Sequence, residues 1–171
     1  CDRVALFTDM IAEELGLSFL DRRWLNRAAL LHDIGKLGVS NSVLDKPGKL
    51  DEQEWGEMRL HAVYSEEILS RISAFGEIAR IGGAHHERLD GKGYPRGIDS
   101  KHISFETRIV TTADFFDALT ADRPYRAAMP VDKALSIMEE AVGSAIDPVC
   151  FSALKRALVK MEPQRSNVVA A

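Results

Sequence analysis

Cysteine is scarce: the 171-residue chain holds two, Cys1 at its first position and Cys150. Two cysteines so placed make no disulfide framework, and the expected setting is a reducing one, the cytoplasm. Long hydrophobic runs are absent too. No stretch approaches a membrane span and no signal peptide opens the chain, so no membrane segment is expected within it. Basic charge is not in excess: 22 Lys and Arg against 26 Asp and Glu leave a formal net charge of −4. That balance gives no reason to expect binding to a nucleic-acid polymer, which would favour a basic face. Strand-like alternation and internal repeats are missing as well. What remains is 46% hydrophobic and 28% charged, the composition of an ordinary soluble domain, and its length suits one core. The chain opens without methionine, from which an upstream extension is expected.

Helical periodicity fills the chain. Val4, Phe7, Ile11 and Leu15 predict a first helix that stops at Gly16. Trp24, Leu25, Ala28, Ala29 and Leu31 predict a second that ends near Gly35, and the aperiodic stretch from Val39 to Leu50 reads as a loop. Asp51 and Glu54 form a capping signature for a third helix carrying Trp55, Met58 and His61, with continuation toward Ile72. A fourth spans Phe75 to Ala84 and a fifth runs from the cap Ser104 to Leu119. The sixth covers Val131 to Val142. The seventh runs from Pro148 to Met161, behind Asp147 as its cap. The expectation is an all-α, compact single-domain bundle of about seven helices over residues 1–162, with a frayed tail over 163–171.

Four of the five histidines, His32, His61, His85 and His86, fall at the ends or on the polar sides of these helices. Adjacent rings such as those of His85 and His86 point roughly 100° apart on a helix of about 3.6 residues per turn. They can serve two metal ions or two positions around one. Alone, the pair also fits a solvated helix end. Asp33 follows His32 directly, and Asp114 interrupts an apolar helix, where a buried acid paired with an arginine would read the same way. Taken together, imidazoles and carboxylates without a nearby thiolate suit Fe, Mn, Zn or Ni in a shared centre.

Three stretches in order, H-D-I-G-K (His32 to Lys36), H-H-E-R-L-D-G-K-G-Y-P (His85 to Pro95) and A-D-F-F-D-A-L-T-A-D-R-P-Y-R (Ala113 to Arg126), resemble the HD-GYP family, a branch of the HD-domain metal-dependent phosphohydrolases. The resemblance covers nearly the whole chain. It implies an HD-domain-like helical fold and two or three divalent transition-metal ions, most often iron or manganese. It further implies hydrolysis of the bacterial second messenger cyclic di-GMP to the linear dinucleotide or to GMP. An N-terminal sensor or receiver domain is the implied partner in the full-length protein.

Residue by residue, the resemblance makes His32, Asp33, His61, His85, His86 and Asp114 metal ligands, with Asp33 bridging. It sets Lys36 beside the phosphate and the attacking oxygen. Gly93, Tyr94 and Pro95 shape the loop, and Arg123 and Arg126 face guanine or phosphate, acceptors that a planar guanidinium suits. Asp117 is left without a role, and His102 reads as a surface histidine. The chain departs from the pattern in three places. The family's upstream histidine and glutamate would precede Cys1, which leaves the metal count at two or three. Ala62 and Ser65 stand where a proline and a glycine are common, and Ser40 replaces a proline. Two alternatives stay open: a cyclic-dinucleotide-binding or interaction module without turnover, and a phosphohydrolase of another nucleotide, a mixed cyclic dinucleotide included.

Overall fold

The computed structural model describes residues 1–122 and 127–166, with side chains to Met161. Among the described residues the architecture is entirely helical, with two isolated bridges (Asp90 to Asp99 and Val142 to Ile146) and no strand. No helix there is long and apolar enough to cross a membrane.

Local signals fix the ends. Helix α1 (Asp2–Glu14) stops at Leu15, and Gly16 turns the chain away at φ 75°. Ser18 caps α2 (Phe19–Leu31) by accepting the Asp21 N–H, so this helix starts before Trp24. It also ends before Gly35, because Ile34–Gly38 tightens into a 3-10 turn. The expected Val39–Leu50 loop contains one helical turn, α3 (Asn41–Leu44), so the described residues hold eight helices, close to the expected seven or so. Helix α4 (Glu52–Ser70) begins with the full Asp51–Glu54 capping box. There follow α5 (Gly76–Ala84), α6 (Phe105–Thr120) behind its Ser104 cap, and α7 (Val131–Ala141). Helix α8 (Pro148–Ser166) starts where Asp147 accepts the N–H groups of Val149 and Cys150. It continues past Met161 and through Pro163 to Ser166.

Helix α1 is the hub. It packs on α2, α6 and α8, while α4 packs on α5 and on the Ile34–Gly38 turn. Its Phe7 and Ile11 join Leu25, Ile81, Ile109, Phe116, Met138, Ile146 and Leu154 in one core. The Phe7 and Phe116 rings meet edge to face at 4.9 Å. Each fully buried large side chain contributes about 1.5–3 kcal/mol, enough to hold the helix ends that surround the centre described next. Bidentate Arg22–Asp9 ties α2 to α1, and Arg108–Asp147 ties α6 to the start of α8.

Candidate metal centre

His32 is the residue that ends α2, His85 ends α5, and His61 lies within α4. All three are buried. Each points its Nδ1 at the carbonyl three residues earlier: Ala29 O at 2.6 Å, Met58 O at 2.5 Å and Gly82 O at 2.8 Å. A carbonyl can only accept, so the shared Nδ1 contact places the proton there and leaves a lone pair on Nε2. This is the arrangement that orients a metal-binding imidazole.

The three Nε2 atoms converge on Asp33, the residue between α2 and the 3-10 turn. Its Oδ1 lies 3.4 Å from His61 Nε2 and 3.7 Å from His85 Nε2, while Oδ2 lies 3.5 Å from His32 Nε2. The two oxygens thus face different histidines. Asp114, on α6, brings Oδ1 to 3.6 Å from His32 Nε2. His86 completes the cluster, with its ring 4.0 Å from that of His85 and 5.0 Å from that of His61. Ligand atoms of Asp33, His61, His85 and His86 all lie within 4.8 Å of one another.

His32 Nε2, His61 Nε2, His85 Nε2 and Asp33 Oδ1 are buried with no hydrogen-bond partner. A single orphaned polar atom costs about 1–3 kcal/mol, and four gathered around the Asp33 carboxylate suit divalent cations. The charges agree. Burial works against ionisation of Asp114, but the His32 imidazole beside it outweighs this, with the His85 and His86 rings adding to it, and holds the carboxyl at about 2. Burial likewise opposes ionisation of Asp33, and His85, His32 and Lys36 overcome it, so this carboxyl lies well below the usual range. Burial lowers the pKa of His61 and His86 and favours the neutral form, the one able to bind a metal. His32 differs: burial lowers it, yet Asp114 and Asp33 raise it further, so a proton and a metal compete for its Nε2.

Lys36, half exposed, makes an ion pair with Asp33 Oδ2 at 2.5 Å. Tyr94 stacks on His86 at 4.7 Å, and its neighbour Pro95 follows a cis peptide bond. Burial first, then the Asp114 and Asp33 charges, push the Tyr94 phenol upward, which unfits it for proton transfer at neutral pH. Gly93 lies against the backbone of Glu87 and Arg88, where a Cβ would come within 2.4–2.6 Å of Arg88 N and of Glu87 Cα and C. Arg123 and Arg126 lie outside the described residues. Asp117 pairs with Arg3, and His102 with Asp99 at the surface.

Two positioning residues escaped the sequence reading. Glu87 is buried and accepts the backbone N–H groups of Arg96 (2.7 Å) and Ile98 (3.1 Å), which closes the loop that carries Tyr94. Thr111, nearly one turn before Asp114, donates to His85 O at 2.8 Å and so locks α6 to the end of α5. The Glu87 signal, an acid inside a glycine-rich loop, was visible in the chain, whereas the Thr111 contact crosses 26 residues and left no mark.

The chain matches the family model described as HD domain over residues 2–150. It is 66% identical over 157 residues to the 3'3'-cGAMP-specific phosphodiesterase 3 of Vibrio cholerae, which covers 92% of this chain and 34% of that protein. It is 42% identical over 165 residues to the cyclic di-GMP phosphodiesterase response regulator RpfG of Xanthomonas campestris, with 94% and 43% covered. The chain therefore spans less than half the length of these relatives. An HDG"Y"P protein from Bdellovibrio bacteriovorus, 21% identical, shares the fold with a TM-score of 0.74 over 92% of this chain and 50% of that one. A crystal structure of a cyclic GMP-AMP-specific phosphodiesterase of V. cholerae, 60% identical, covers 91% of this chain and 35% of its own at a TM-score of 0.56. With its motifs folded around one His and Asp cluster, the chain belongs to the HD-domain family.

Proposed function

We propose that this domain is a metal-dependent phosphodiesterase that hydrolyses a cyclic dinucleotide. The observation that carries the reading is Asp33, whose two carboxylate oxygens face separate histidines across a buried centre with four unpartnered atoms. Such a carboxylate suits a bridge. One ion would lie among Asp33, His32 and Asp114, and another among Asp33, His61, His85 and His86. Imidazole and carboxylate donors without a thiolate suit iron or manganese in a reducing cytoplasm.

When bound, divalent ions supply an activated water near neutral pH and offset charge on the phosphoryl oxygens. The chain's own residues do the rest. The three Nδ1 contacts hold the imidazoles so that their Nε2 atoms need no reorientation. Lys36 keeps a positive charge at the edge of the centre, where a phosphate oxygen would approach. The Glu87-closed loop holds Tyr94 against His86 as a wall for the substrate. Arg123 and Arg126 remain the proposed contacts for guanine or phosphate.

As to the bases, the 66% identity to a 3'3'-cGAMP-specific enzyme favours the mixed dinucleotide. Cyclic di-GMP is the second reading, favoured by the 42% identity to an enzyme named for it. An input domain joined to this one belongs to the same reading, since that second relative is a response regulator. Incubating the metal-loaded protein with each dinucleotide and resolving the products by chromatography tests the proposal. Hydrolysis of 3'3'-cGAMP ahead of cyclic di-GMP is expected. Binding without turnover of either would leave the domain a receptor.

A further inference from the structure

Helix α4 carries more than His61 toward the centre. Trp55 and Arg59 are four residues apart, hence neighbours on one face of that helix. The Arg59 guanidinium lies 5.9 Å from the centre of the Trp55 ring and 5.5 Å from that of Tyr94. Tyr94 in turn stacks on His86. A continuous run of contacts thus leads from the metal-facing histidines, through one tyrosine ring, to an exposed cation.

That cation is held but not neutralised. Arg22, Arg88, Arg96 and Arg108 each pair with a carboxylate. Arg59 makes no ion pair among the described residues; the groups that hold it are aromatic faces. Ring contacts occupy the flat side of a guanidinium and leave its N–H edges free for an acceptor. Holding the side chain in advance also lowers the ordering cost of binding. A cyclic dinucleotide has two phosphates. The reacting one belongs beside Asp33 and Lys36, and Tyr94 separates Arg59 from those groups. Trp55, 46% exposed, adds a flat apolar surface next to the cation.

We propose that Arg59, held by Trp55 and Tyr94, binds the second, non-scissile phosphate of the dinucleotide. The inference rests on the cyclic-dinucleotide reading and extends its site outward along α4. Neither the histidine motifs nor the glycine-rich loop pointed to this residue.

The test compares the metal-loaded parent with Arg59→Ala and Arg59→Lys, using 3'3'-cGAMP and cyclic di-GMP. Loss of one charge-assisted contact should raise KM about tenfold in Arg59→Ala while kcat stays within about twofold, the pattern of lost uniform binding. Arg59→Lys, which keeps the charge and loses the planar fork, should fall between. Bound metal should equal that of the parent, and added salt should raise KM less in Arg59→Ala than in the parent. Calorimetric titration of both dinucleotides into parent and variant gives a second readout that needs no turnover. Affinity for the two should fall by the same factor, because both share the phosphate. An unchanged KM and affinity would overturn the proposal, as would a loss confined to one dinucleotide, which would mean base reading. A parent that hydrolyses neither compound defeats the phosphodiesterase reading instead. Arg59 is then judged by the titration alone, and a parent that binds neither overturns it too.

Discussion

Replacing Gly35 by alanine tests how the centre is assembled. Gly35 sits in the 3-10 turn between Asp33 and Lys36, and its N–H donates to Ser65 Oγ on α4 at 2.9 Å. A Cβ at this position would stand 2.0 Å from His61 O and 2.4 Å from Ser65 N. Both atoms are helix backbone and neither can rotate aside. The first contact is more than an ångström inside the 3.4 Å at which ordinary contact begins, so the turn must move off α4 and take Asp33 away from His61. Overpacking of this kind costs about 1–3 kcal/mol, a fall in Tm of roughly 2–12 °C for a two-state domain of this size. Metal affinity should fall with it, because the displaced residue is the proposed bridge. Gly56→Ala is the control: on the exposed side of α4 nothing lies within 4 Å of its added Cβ, and the change should stabilise by up to about 1 kcal/mol. Thermal melts and elemental analysis of the three proteins decide the matter. A Gly35→Ala variant with parental Tm and full metal would refute the packing argument and the role it gives Asp33.

Asp33→Ala should abolish metal loading and hydrolysis together, since no other carboxylate among the described residues faces the same three histidines; full metal by elemental analysis would contradict this. Gly93→Val should lose most activity while retaining metal, because its Cβ would meet the backbone of Glu87 and Arg88, whereas Tyr94→Phe should keep most activity, its ring rather than its hydroxyl being what stacks on His86. Turnover and bound metal measured side by side separate the two. Glu87→Gln leaves one acceptor where the carboxylate serves two N–H groups, and should cost about 1–3 kcal/mol, read as a lower Tm with weaker hydrolysis.

The helices were legible because most of their signals are local. Ser104, the Asp51–Glu54 pair and Asp147 each cap a helix that the adjacent apolar spacing already announced. The short helix α3 was not legible, since four residues hold no period, and Ser18 was passed over although its spacing to Asp21 is a capping signature. The six His and Asp residues were identifiable by type and motif, and the fold brings all six together. The parts that hold them were harder to see. Ser65 stands where a glycine is common, and the structure gives it work, since its hydroxyl takes the Gly35 N–H. Thr111, Arg59 and Trp55 belong to no spaced motif, and only the packing of α6 on α5 and of the loop on α4 shows what they touch.

The position of the histidines follows from an economy of helix ends. The last carbonyls of a helix have no N–H to meet them from within, and a histidine three residues later can supply one from Nδ1. His32 does so for Ala29 at the end of α2, and His85 for Gly82 at the end of α5. The same proton that caps the helix fixes the tautomer, so Nε2 is turned toward Asp33 as a lone pair without any further residue to orient it. His61 lies inside α4, where the backbone already uses the Met58 carbonyl, and there the Nδ1 contact is an addition. Among the described residues His86 has no such carbonyl, and its ring is instead kept in place by Tyr94 on one side and by His85 and His61 on the others. Because one proposed ligand is held by a loop rather than by a helix, the glycine-rich segment and its buried Glu87 belong to the proposed metal centre as much as to the proposed substrate wall.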